Sequence, residues 1–125
     1  MLLKQGIDPQ SVVRSVLFIA ASDRFVLLAA AGGGRADRGV LRKHLNERKC
    51  RIAEFDEVPE ATGYVVGAVP PIALPGNIKI LVDNSVKYYE TVVIGSGILG
   101  FALSLKGADL LKLFGDADQG IFINV

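Results

Sequence analysis

The chain has 125 residues, half of them apolar, which is enough for one compact core and too few for two. Fourteen basic against thirteen acidic side chains leave a formal charge of +1, so no global field draws the chain to nucleic acid or an anionic membrane, and any such contact must be local. The single cysteine, Cys50, excludes an intramolecular disulfide and a multi-cysteine zinc site and fits a reducing, cytoplasmic setting.

In chain order, Met1-Leu2-Leu3-Lys4-Gln5-Gly6 is too short an apolar stretch for a signal peptide before Asp8-Pro9 interrupts it. The apolar runs at residues 16–21 and 25–31 fall well below the roughly 20 residues that cross a bilayer, and Ser22-Asp23-Arg24 separates them, so no membrane association is expected. β-Branched and aromatic residues on both sides of that polar break predict a hairpin of strands 12–20 and 25–31. Both strands are apolar on both faces and need cover on each side. After Gly32-Gly33-Gly34-Arg35, the residues Ala36, Val40, Leu41 and Leu45 share one face of a predicted helix over 36–47. Arg38, Arg42, Lys43 and Arg48 make its other face the most basic part of the chain, either a solvated face or an RNA-backbone contact.

A short strand at 51–54 and an acidic turn or helix at 56–61 lead into a Gly/Pro-rich centre, residues 63–76. Strands are predicted at 78–82, 91–94 and 99–103, then a helix over 106–114 stopped by Gly115, and a last strand at 120–125. The fold class is α+β: a curled, barrel-like mixed β-sheet with flanking helices, in a single domain over residues 1–125.

The catalytic inventory is sparse. One histidine and one cysteine are present, without Gly-x-Ser-x-Gly, His-Glu-x-x-His or a phosphate loop, so metal catalysis is not expected. His44 lies at the edge of the apolar helix stripe and reads as a boundary residue. The run Gly67-Ala68-Val69-Pro70-Pro71 combines a permissive start with two fixed φ angles at its end. Such a loop can present the amides of Gly67, Ala68 and Val69 to a carbonyl or developing oxyanion, or it can be an ordinary Pro-rich turn. Gly95-Ser96-Gly97 with Gly100 reads as a turn between strands.

The order of these pieces resembles the family of YbaK-type deacylases and the editing domain of bacterial prolyl-tRNA synthetases. The matching pieces are Val13-Arg14-Ser15-Val16-Leu17-Phe18, Thr62-Gly63-Tyr64 with Gly67 to Pro71, Ile80-Leu81-Val82-Asp83, Ile94-Gly95-Ser96-Gly97 and Ala108-Asp109-Leu110-Leu111. The resemblance implies a metal-independent, cofactor-free hydrolase that cleaves the ester of mischarged aminoacyl-tRNA at its 3′ end. Gly67 and Arg14 would then be the catalytic residues, with Ala68, Val69, Pro71, Asp83, Gly95 and Ser96 binding substrate. It also implies a synthetase as a further partner.

Two departures from the family qualify this. Arg14 stands where the family carries lysine, and a guanidinium, which does not give up its proton, can position or bind phosphate but cannot be a general base. Alternatively, Arg14 is a strand-end residue paired with a carboxylate. Only about a dozen residues precede Arg14, where typical members carry roughly one further helix and strand, which puts barrel closure in question: an open edge would either be covered by a homodimer or leave the pocket more exposed than in longer members. A non-catalytic relative that binds aminoacyl-tRNA or a synthetase is the alternative reading, and a domain that keeps only the fold is a third.

Overall fold

The computed structural model describes residues 9–124. In chain order they form β1 (Arg14–Ala20), β2 (Phe25–Ala30), β3 (Arg35–Ala36), α1 (Arg38–Leu45), β4 (Cys50–Ile52), α2 (Glu57–Thr62), β5 (Ile78–Asp83), β6 (Thr91–Gly95), β7 (Ala102–Lys106), α3 (Gly107–Phe114), β8 (Asp118–Gly120) and β9 (Ile123–Asn124). Short 3-10 turns span Pro9–Ser11 and Asn84–Tyr88.

The main sheet has the order β4-β1-β2-β5-β8. β1 and β2 are the expected hairpin, antiparallel from Arg14↔Ala30 to Ile19↔Phe25, while β5 joins β2 in parallel and β8 joins β5 in parallel. The central position of β2 explains its unbroken apolar sequence, because it is covered on both faces. Val26, Leu28 and Ala30 pack with Leu41 and Leu45 of α1 and with Phe122. On the opposite face Ala29 packs with Val82, Val86, Leu110 and Phe114, and Leu27 with Leu17, Val58 and Val69. Truncating a fully buried leucine such as Leu28 or Leu41 to alanine removes both transfer energy and packing, about 2–5 kcal/mol.

The helices follow their local signals. Asp37 caps α1 by accepting from the amides of Gly39 and Val40, and Asn46 ends it in the left-handed region. In α2, Thr62 Oγ1 donates to the Val58 carbonyl and accepts from the Tyr64 amide, and Gly63 closes the helix. The Thr-Gly-Tyr signature is therefore a helix stop.

The sheet does not close into a barrel. The described strands fall into three sheets: the five-stranded one, the β6–β7 hairpin and the β3–β9 pair. Closure needs a continuous ladder, yet the hairpin meets the segment before β1 only at the parallel bridge Val12↔Val93. Two strand assignments also change. β7 starts at Ala102 instead of residue 99, because Ser96 Oγ donates to the Phe101 carbonyl and accepts from the Ile98 amide, holding the preceding residues in a turn. The expected final strand divides into β8 and β9, which pair with different partners, and the two-residue β3 had no sequence signal. The first eight residues and Val125 lie outside the described residues.

Candidate active site

Residues 65–68 make a tight turn in which the Ala68 amide donates to the Val65 carbonyl at 3.0 Å. Gly67 sits at its third position with φ +91°, the requirement of a type II turn and a conformation that side-chain-bearing residues avoid. Val69 then runs alongside Gly95 at the end of β6. A Cβ on Gly95 would lie 2.6 Å from the Val69 carbonyl oxygen, so glycine is needed there for the two backbones to touch. The Gly97 amide donates to the Ala68 carbonyl at 2.8 Å and locks the two loops together.

These loops and the start of β1 enclose a cavity of about 270 Å³ lined by Arg14, Ser15, Gly67, Val69, Gly95, Phe101 and their neighbours. Four residues singled out in the sequence, Arg14, Gly67, Val69 and Gly95, thus border one space. Among the described residues the amides of Gly67 and Val69 have no hydrogen-bond partner. The Ala68 amide, expected as a third donor, is taken by Val65, and Ala68 is fully buried. Its part is to hold the turn.

Arg14 borders the cavity, and its Nη2 donates to the Gly34 carbonyl at 2.6 Å. Its partner is thus a carbonyl, in place of the carboxylate considered from sequence. The remaining expected site residues lie elsewhere. Buried Asp83 accepts from the Phe122 amide at 2.7 Å and the Ser85 amide at 2.8 Å, so both carboxylate oxygens serve the fold. Pro71 is buried and lines a separate groove with Leu74 and Phe114. Ser96 is spent on the turn before β7.

Ser15 was not singled out in the sequence. It lines the cavity, and its buried Oγ has no hydrogen-bond partner. Leaving a hydroxyl buried and unpaired costs about 1–3 kcal/mol. The available signal was one hydroxyl in an otherwise apolar strand interior, Ser15-Val16-Leu17-Phe18-Ile19-Ala20.

Among the described residues that line the cavity, Arg14 alone is charged. The strongest ionic arrangements are remote: Arg51 clamps Glu57 at 2.7 and 2.9 Å, and with the Glu54 amide it holds the Glu57 carboxyl down to about 2. His44 Nε2 meets Asp118 at 2.8 Å and stands edge-on to Phe122, and with Lys79 it lowers the Asp118 pKa. Burial raises the Cys50 thiol against the pull of Arg38 and Arg42. Among the described residues no three His, Cys, Asp or Glu side chains converge as a metal site would need, and no helix is long and apolar enough to cross a membrane.

The wider comparison agrees with the motif order. The model of the aminoacyl-tRNA editing domain matches residues 3–113. A multifunctional Ser/Thr-tRNA deacylase of Escherichia coli K12, ProXp-y, is 29% identical over 92 residues, which are 73% of this chain and 55% of that protein. A proline–tRNA ligase of Pseudothermotoga lettingae is 29% identical over 90 residues, 72% of this chain and 15% of the ligase. The chain therefore spans about half of the first relative and a small part of the second. A crystal structure described as a candidate trans-editing enzyme for prolyl tRNA synthetase superposes with a TM-score of 0.85 at 25% identity, covering 99% of this chain and 77% of that one. The chain belongs to the aminoacyl-tRNA editing domain family, the YbaK family that its motif order resembles.

Proposed function

We propose that residues 1–125 act as one editing domain, a trans-acting, cytoplasmic deacylase that hydrolyses mischarged aminoacyl-tRNA carrying small amino acids of the alanine, serine, cysteine or proline type. The observation that carries this reading is the meeting of Gly67, Val69, Gly95 and Arg14 around one small cavity with two unengaged amides. About 270 Å³ is just below the roughly 300–1,000 Å³ usual for small-molecule pockets. That suits an aminoacyl group, with the terminal adenosine held outside.

In this mechanism the Gly67 and Val69 amides hold the ester carbonyl and strengthen as its oxygen gains charge. Water adds to the carbonyl carbon, the bond to the ribose oxygen breaks, and the ribose oxygen takes a proton, giving free amino acid and uncharged tRNA. The free hydroxyl of the terminal ribose positions the water, so neither a metal ion nor a side-chain base is required. The Arg14 guanidinium steers the terminal phosphate or ribose. Incubation of the purified protein with a panel of mischarged tRNAs tests the proposal: ester loss above the buffer rate for at least one pair is expected, and none for any pair would overturn it.

A second reading, a non-catalytic relative that binds aminoacyl-tRNA or a synthetase, is favoured by the Arg14 guanidinium being engaged with Gly34. Tight tRNA binding without turnover would support it. Homodimerisation belongs to either reading, because Phe101 and Leu103, beside the edge of β7 that has no strand partner among the described residues, are 71% and 53% exposed. A monomer by sedimentation at tens of micromolar would remove the dimer.

A further inference from the structure

Half of the lysines and arginines, seven of fourteen, fall within residues 35–51, alongside only two acidic residues. Both acids are occupied. Asp37 caps α1, and Glu47 accepts from Ser22 at 2.8 Å and pairs with Arg24 at 3.7 Å. Arg51 is taken by Glu57. Arg42, Lys43, Arg48 and Lys49 are exposed and have no ion-pair partner among the described residues.

These four side chains flank two open clefts that share Arg42. One, of about 630 Å³, is lined by Arg42, Lys43 and Arg48, and the other, of about 430 Å³, by Arg42, Lys49 and Arg51. Arg42 and Lys43 lie in the last turn of α1, where positive charge complements the helix dipole. Arg48 and Lys49 lie beyond the helix cap and have no such structural use. The concentration of unpaired cations in a chain of nearly zero net charge calls for a polyanion.

The placement relative to the cavity selects among polyanions. Lys49 abuts the far end of β1, its carbonyl accepting from the Ala21 amide at 3.0 Å, whereas Arg14 and Ser15 at the near end border the cavity. The seven residues of β1 set the two places roughly 20 Å apart at about 3.3 Å per residue. A nucleic acid strand advances about 3.4 Å per nucleotide when stacked. A strand with its end in the cavity therefore carries several phosphates within that reach.

We propose that Arg42, Lys43, Arg48 and Lys49 form a phosphate-binding surface for the body of the same tRNA whose 3′ end enters the cavity. The inference rests on the deacylase reading for the identity of the RNA. The contacts are to backbone phosphates, so the surface adds affinity and orientation without reading sequence.

The test compares the parent with R42Q/R48Q/K49Q and with a charge-matched control, K87Q/K106Q/K112Q, whose lysines are exposed elsewhere. Binding of deacylated bulk tRNA is measured from 50 to 300 mM salt. The surface variant should lose affinity roughly tens-fold near 150 mM, and its log–log salt slope should fall by about two to three. The control should stay within about two-fold of the parent. Cleavage of a mischarged aminoacyl ester of adenosine, too short to reach the surface, should be unchanged in both.

Equal loss in the two variants, or an unchanged slope in the surface variant, would overturn the proposal. So would retention on phosphatidylglycerol vesicles that tRNA does not compete away. If the triple variant melts early, Arg48→Gln alone, outside every helix and strand, should still lower the slope by about one, and no change would count against the surface. Absence of turnover by the parent would remove the deacylase reading and leave the binding measurement standing. Turnover with tRNA binding insensitive to these residues would remove only the surface.

Discussion

The two ends of β1 solve different problems with different materials. At Arg14 and Ser15 the cavity is made of backbone: two unengaged amides, a turn that needs Gly67, and a backbone contact that needs Gly95. At Ala20 the strand ends among long, exposed cations on α1 and the segment after it, which have no ion-pair partner among the described residues. The first arrangement depends on positions within a fraction of an ångström and hardly on charge. The second depends on charge and tolerates imprecision. One change should therefore damage one end and spare the other, and each prediction tests that separation.

The largest effect is expected from Gly95→Val. Its Cβ would fall 2.6 Å from the Val69 carbonyl oxygen and 3.0 Å from that of Ala68, both backbone atoms, so the loop must move. A displacement of this kind costs about 1–3 kcal/mol of stability and about 10²-fold or more in ester hydrolysis. Binding of deacylated tRNA should stay within about two-fold. Full turnover by this variant would separate the cavity from the chemistry.

Gly67→Pro comes next. Proline removes one amide donor and cannot adopt φ +91°, so turnover should fall about 10²-fold or more. Arg14→Lys, restoring the family residue, should change it less than about ten-fold. Activity of Gly67→Pro equal to the parent would rule out the turn as the carbonyl site.

Ser15→Ala separates stability from function. Removing an unpaired buried hydroxyl should leave the melting temperature unchanged or raise it, since no hydrogen bond is lost. If the hydroxyl meets the aminoacyl group, kcat/KM should fall about ten-fold with that gain. A rise in stability with no kinetic change would make Ser15 a packing defect.

The sequence and the structure agree best where periodicity is strong. The β1–β2 hairpin, Leu41 and Leu45 of α1 and the end of α3 before Gly115 were legible because continuous burial writes itself into residue type, whereas of the same expected stripe Ala36 lies in β3 and Val40 is exposed. The candidate site was legible only as a motif order. Backbone donors leave no side-chain signature, so the turn that consumes the Ala68 amide could not be seen. Asp83 looked like a site residue because a buried carboxylate capping a turn and holding the Phe122 amide has the same sequence appearance as one awaiting a ligand. The barrel-like closure expected from the sequence is absent among the described residues for a related reason: apolar strands report that cover exists, and the β6–β7 hairpin supplies it without extending the main sheet.

The smallest expected effect joins the basic end to pH. Arg51 pairs with Glu57, whose carboxyl is held at about 2 against an ordinary 4.5 by that guanidinium and by the Glu54 amide. A folded-state pKa below the unfolded one means the pair stabilises the fold above pH about 4.5 and loses its effect as the pH falls through about 2. Both partners are solvent-facing, so screening keeps the contribution small. Glu57→Gln should therefore lower the melting temperature slightly at pH 7, with the difference from the parent shrinking as the pH falls below about 4.5 and vanishing only below about 2. It also frees Arg51 beside Arg42 and Lys49, so tRNA affinity at low salt should rise, by roughly two-fold. A stability difference that persists undiminished as the pH falls from 7 to about 2 would show that Glu57 acts through packing of α2, and unchanged tRNA affinity would place Arg51 outside the phosphate-binding surface.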